Sequence, residues 1–290
     1  MKKGIILIAF LQVCYTNPSL AQDRIDKLSL SQGLVFAKLQ DQLWGNQIYK
    51  GVISLTTINY EWRKKKNRWN QLSFTGGGGT IAAPISIRRN TGAYQIGMNY
   101  QHLRTVAVLG KSQISWAVGG GASTFIEFRV HNNYSSNNAA SYDIGSALQL
   151  SNRFYRSVLL KNNKQLQCSF LIETALLTAY LRPDYASSHT EDPFDVSGLN
   201  EVSIGTITSR MRWVSIPTFF KVNMSTTLDY LTSDRFGFRM QYNWQLINAK
   251  RKLKVTSASH QIHLGVFYKF RNVDTKDDFP LKATNSLTLN

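Results

Sequence analysis

Apolar and polar residues alternate with a period of two along most of this chain, in about ten segments divided by polar connectors. A period of two sends successive side chains to opposite faces of a β-strand. The clearest segment runs from Phe236 to Trp244. Phe236, Phe238, Met240, Tyr242 and Trp244 share one face, and Gly237, Arg239, Gln241 and Asn243 share the other. Residues 91–105, 112–130 and 141–158 repeat the pattern. Weaker segments are predicted at 28–39, 48–62, 68–80, 164–181, 211–225 and 258–270. Pro217 interrupts 211–225, where it implies a bulge or a rim position.

Length separates the two architectures that share such alternation. Strands of a soluble sandwich average about 5–6 residues. Several segments here run well beyond ten, which suits strands crossing a bilayer at a tilt. The aromatic face then meets lipid and the polar face a lumen. Short connectors are expected at 64–67, 109–112 and 161–164, and longer ones at 81–90, 131–140, 182–210 and 248–257. With short turns inward and long loops outward, both ends of the barrel lie on the periplasmic side. The expected fold is all-β, an antiparallel transmembrane barrel of ten strands. Residues 226–234 read as a connector, long for an inner turn, and leave twelve strands as the alternative.

The N-terminus fixes the compartment. Lys2 and Lys3 precede an apolar stretch from Gly4 to Val13, and Ser19-Leu20-Ala21 offers a small-residue cut site ahead of Gln22. This reads as a secretory signal peptide over 1–21. The barrel is assigned to 22–270 and a periplasmic tail to 271–290, where the alternation stops. Cys14 leaves with the signal, so Cys168 is the single cysteine of the mature chain and no internal disulfide forms.

Charge then narrows the function classes. Lys2 and Lys3 leave with the signal, so 34 basic residues become 32 against 17 acidic ones, net +15. Export and the lack of a recognition motif argue against nucleic acid. Basic loops suit an anionic lipopolysaccharide surface instead. Arg88, Arg89, Lys250, Arg251, Lys252 and Lys254 fall at the outer rim, where they are candidates for lipopolysaccharide phosphates.

The signal, the strands, the Val214-Ser215-Ile216-Pro217 segment leading into Phe219-Phe220-Lys221, and the final His263 to Phe270 strand together carry a resemblance. The chain resembles the outer-membrane β-barrel proteins of Gram-negative bacteria, in the style of the porin-like barrels of Bacteroidetes. The resemblance implies an outer-membrane location and handling by periplasmic chaperones and the barrel-assembly machinery. Those barrels usually end their last strand in an aromatic residue. Phe270 is in register for that, though it stands 20 residues from the end of the 290-residue chain. Members include adhesins, small channels, envelope-stabilising proteins and lipid enzymes.

Candidate chemistry sits on the polar parity. Glu61, Glu127, Arg129, Asp143, Arg153, Glu173, Arg239 and Lys269 all point to the lumen on this reading. Ten strands enclose little more than eight do, and side chains nearly fill eight. Charges of both signs in so narrow a space are expected to pair. Gly76 to Gly79 lacks the Lys-Ser/Thr and the helix of a phosphate loop; glycine there signals a bend or close backbone approach. Ser259-His260, Ser187-Ser188-His189 and inward His263 are the hydrolase candidates, without the His-x-Ser spacing of known outer-membrane lipid hydrolases. No catalytic, metal or cofactor site is expected. The favoured role is a non-enzymatic envelope barrel whose outer loops contact lipopolysaccharide or a partner. A small anion-preferring porin and a lipid hydrolase are the alternatives.

Overall fold

The computed structural model describes residues 24–42, 47–64, 67–83, 90–110, 113–131, 140–160, 164–182, 211–250 and 254–270. The signal and tail assignments lie outside the described residues. The strands are β1 (Arg24–Asp41), β2 (Ile48–Lys64), β3 (Arg68–Ala82), β4 (Asn90–Leu109), β5 (Ile114–His131), β6 (Ala140–Leu159) and β7 (Gln165–Leu181). They continue with β8 (Arg212–Ser215), β9 (Phe219–Leu231), β10 (Phe236–Ala249) and β11 (Val255–Lys269).

Every neighbour pairs antiparallel, and the sheet closes when β1 meets β11 from Lys27 opposite Lys269 to Asp41 opposite Val255. Strands β8 and β9 occupy one wall position. β7 pairs β9 up to Thr174 opposite Val222, then β8 from Leu177 opposite Ser215. Ile216, Pro217 and Thr218 form the turn between them, with a cis bond before Pro217. Proline has no N–H to give a ladder, so the predicted interruption is a break within one barrel strand. The barrel therefore has ten wall positions, as expected, and not twelve. Residues 226–231 do not form a connector. They complete β9, and the inner turn is only residues 232–235.

The outer face is apolar across strand after strand. Phe238, Val266, Leu30, Ile58, Phe74 and Met98 stand side by side on six adjacent strands, each exposed. Ile96 and Leu264 reach 63% exposure. A soluble protein seldom leaves so continuous an apolar surface uncovered. The lumen holds the opposite set: Lys27, Glu61, Gln101, Asp143 and Arg239 are all 6% exposed or less.

Glycines let the narrow wall bend. An added Cβ at inward-facing Gly77 would lie 1.9 Å from the Ser54 carbonyl oxygen and 2.9 Å from Leu55 Cδ2. At outward Gly76 the nearest atom would be 4.0 Å away. Gly77→Ala should therefore destabilise the barrel by about 1–3 kcal/mol, while Gly76→Ala should be close to neutral. Urea titration of the heat-modifiable gel band checks the pair; equal tolerance of both would contradict this reading of the bend.

Candidate lumen site

The lumen is built in three layers between the short-turn end and the long-loop end. Near the short turns, Lys27 on β1, Glu61 on β2, Asp229 on β9 and Arg239 on β10 form a closed square of alternating charge. Lys27 Nζ lies 2.7 Å from Asp229 Oδ2 and 3.0 Å from Glu61 Oε2. Arg239 grips Asp229 with two bonds of 2.7 Å, Nε to Oδ1 and Nη2 to Oδ2, and reaches Glu61 Oε1 at 2.6 Å. Its Nη1 donates to Ser29 Oγ at 2.8 Å. Two-pronged Arg–carboxylate bonds are among the strong ones. Beside this square, Arg153 and Arg63 both stack on Trp69, with guanidinium carbons 3.4 and 3.9 Å from a ring centroid. Arg153 also donates to Ser169 Oγ at 3.2 Å.

The long-loop end carries a second charged layer. Arg129 on β5 meets Asp143 on β6 at 2.5 Å and also pairs with Glu127. Arg182, just beyond β7, contacts Asp143 Oδ1 at 3.0 Å and Oδ2 at 3.2 Å, and pairs with Asp41 at the end of β1. The Tyr180 hydroxyl donates to Asp143. β1 and β6 lie on opposite sides of a ten-position wall, so the Asp41–Arg182–Asp143 chain crosses the lumen. Apolar side chains fill the space around it: Val35, Leu39, Tyr49, Phe125 and Phe219 are all buried there.

Between these layers lies a polar chamber. Glu173 on β7 is 5% exposed and sits among four amides. Asn99 Nδ2 donates to its Oε1 at 3.0 Å, Gln149 Nε2 to Oε1 at 2.8 Å and Asn223 Nδ2 to Oε2 at 2.7 Å; Gln101 donates as well.

Of the eight lumen charges expected from parity, Glu61, Glu127, Arg129, Asp143, Arg153, Glu173 and Arg239 line this interior. They do not form one cluster but are divided among the three layers. Lys269 is only half-buried, opposite Lys27 on the closing ladder, and Lys27 rather than Lys269 completes the charged square. The sequence reading missed Lys27, Asp41, Tyr180, Arg182, Lys221 and Asp229. Asp229 was hidden by the misplaced connector. Tyr180 was hidden by a bulge, and Arg182 also by its placement in the expected 182–210 connector: the β6–β7 register passes from Gln149 opposite Ala175 to Leu148 opposite Leu177, leaving Leu176 unpaired. One extra residue inverts the inward parity of everything after it.

The hydrolase candidates are not brought together. Ser259 is buried in the lumen, while His260 is exposed outside and 2.7 Å from the Tyr242 hydroxyl. His263 faces inward against Gly33 and contacts Gln261 at 3.3 Å. Ser187, Ser188 and His189 lie outside the described residues, as do Arg88, Arg89, Arg251 and Lys252. Lys250 is exposed at the long-loop end, as is Lys254. Among the described residues, no three His, Cys, Asp or Glu side chains converge to hold a metal ion.

No protein-family model and no curated relative matches this chain. Solved structures do. The outer membrane protease OmpT from Escherichia coli is similar at 9% identity, over 86% of this chain and 98% of that one, with a TM-score of 0.45. The translocator domain of the autotransporter NalP from Neisseria meningitidis matches at 10% identity, over 92% and 94%, with a TM-score of 0.41. Ail, the attachment invasion locus protein of Yersinia pestis, matches at 9%, over 84% and 98%, with a TM-score of 0.33. At such scores the barrel assignment rests on this chain's own closed ladder.

Removing one partner from a buried ion pair leaves the other uncompensated, at a cost of about 3–5 kcal/mol. Arg239→Met would strand Glu61 and Asp229 beside Lys27 alone. It should lower barrel stability by that order in urea unfolding. A midpoint unchanged from wild type would show that the square does not hold this end together.

Proposed function

We propose that the protein is a non-enzymatic outer-membrane β-barrel, sealed through its lumen, that works through its long-loop end at the cell surface. The observation that carries this reading is the pair of ion-paired layers closing a barrel with an apolar exterior. Each layer takes charged groups from several strands, and their burial among the described residues supports a lumen closed at both levels. A continuous apolar belt around a closed ladder suits a bilayer, where backbone groups must find partners within the sheet.

The distribution of charge favours surface contact over anion transport. The inner square has two cations and two anions. The outer layer sets Arg129 and Arg182 against Asp41, Glu127 and Asp143. The strong positive charge of the chain is therefore not concentrated in these layers. It belongs largely to rims and loops, where Lys and Arg meet phosphate-bearing lipopolysaccharide.

Planar-bilayer recording tests the sealed lumen. Refolded wild-type barrel, verified by heat-modifiable migration, should give no discrete steps. Reproducible anion-preferring steps would replace this reading with a small porin.

The surface role has its own check. Changing Arg88, Arg89, Lys250, Arg251 and Lys252 together to Gln should weaken binding of the refolded barrel to lipopolysaccharide-containing vesicles. The difference from wild type should shrink as salt rises, because exposed charges are screened. Equal binding at low salt would contradict lipopolysaccharide recognition by these residues.

A further inference from the structure

The middle layer differs from its neighbours in how its charges are compensated. Carboxylates in the outer two layers touch a cation. Glu173, among the described residues, has four amide donors and no ion pair. Lys221 on β9 faces the same chamber, 4.6 Å from the Phe125 ring centroid, also without an ion pair among the described residues. Glu173 and Lys221 are close in the wall but do not touch. Glu173 stands opposite Asn223 in the β7–β9 ladder. Lys221 is two residues further along on the same face, a diagonal spacing of about 7–8 Å between backbones.

Both line a cavity of about 160 Å³ that also reaches Glu61, Arg153 and Arg239 of the neighbouring layer, against roughly 10–15 Å³ for one water. Its wall is rich in amides and hydroxyls, including Asn59, Gln95, Thr124 and Asn243. Four buried atoms on that wall have unused hydrogen-bonding capacity, Arg153 Nε and His263 Nδ1 among them. Gln101 Oε1 and Ser123 Oγ find no partner, in residues 1% and 6% exposed. Buried polar atoms are normally satisfied, so these point to an occupant.

We propose that this chamber binds a small zwitterion of the α-amino-acid type, its ammonium on Glu173 and its carboxylate on Lys221. The occupant's polarity follows from the wall. A bare cation would find a direct partner only in Glu173, an anion only in a cation such as Lys221, and a neutral polyol in neither. An α-amino acid carries both charges a short distance apart. Charge-assisted bonds of about 2.7–2.9 Å at each end would hold it. Glu173 Oε2 has capacity for the ammonium, since it accepts from Asn223 alone, and Gln101 Oε1 is a further acceptor. The inference goes beyond the surface role and does not depend on lipopolysaccharide binding.

The test uses L-alanine on the full refolded barrel. Closed layers on both sides slow exchange, so the solute is supplied both during refolding and afterwards. Alanine should raise the unfolding temperature of wild type, because a ligand that binds only the folded state stabilises it. Equimolar erythritol and methylammonium acetate should not. In Glu173→Gln and in Lys221→Met, alanine should bind about tenfold more weakly or worse. Lys221→Met leaves the amide cage intact, so it decides the matter if Glu173→Gln fails to fold. Protection of wild type by methylammonium acetate equal to that by alanine would overturn the zwitterion assignment. No alanine shift in either loading regime, or a shift retained in Lys221→Met, would overturn the site.

Discussion

Closure of the backbone ladder is the constraint on which the rest of this structure depends. In hydrocarbon an unpaired N–H or C=O costs several kcal/mol, so a strand can cross only in a sheet without edges. The β1–β11 pairing supplies the last seam, register for register, over fifteen residue pairs. Once the ladder is closed, a side chain has only two directions. Period-two alternation then divides the chain into a lipid-compatible exterior and a polar interior.

A ten-position wall leaves the interior too narrow to solvate every group that alternation sends there. At the two ends charge is answered by charge, and each end does this differently. At the short turns, four ionisable side chains from four strands neutralise one another, with Arg239 bridging Glu61 and Asp229. At the long loops, Arg182 reaches back from beyond β7 to Asp143 and across to Asp41 on β1. Buried ion pairs are weak net contributors to stability, yet costly to break singly. Here they tie strands from different parts of the wall to one another across the lumen.

Fold class, strand count and most strand cores were legible because alternation reports the face of a strand directly. Seven of the eight named lumen charges line the interior for the same reason. The missed residues lie at the ends of the expected strands or where the alternation is weak or shifted. Lys27 and Asp41 sit just outside the apolar run that marked the first strand. Asp229 lies in a threonine-rich stretch, Thr226-Thr227-Leu228, where contrast between faces is low. Tyr180 and Arg182 follow the unpaired Leu176 and stand on inverted parity. The division of the lumen into layers was not legible, because it depends on strand stagger and on contacts across the barrel.

Tryptophan quenching in single-tryptophan variants tests the account most directly. Trp244 lies on the lipid-facing parity of β10, while Trp69 is 4% exposed in the lumen under Arg153. With the barrel in vesicles, bromine on the acyl chains should quench a Trp244-only variant strongly. A Trp69-only variant should be shielded from brominated lipid and from aqueous acrylamide alike. Quenching of Trp69 by acrylamide would contradict the sealed lumen. Quenching of Trp69 by brominated lipid, or none of Trp244, would contradict the assignment of inside and outside.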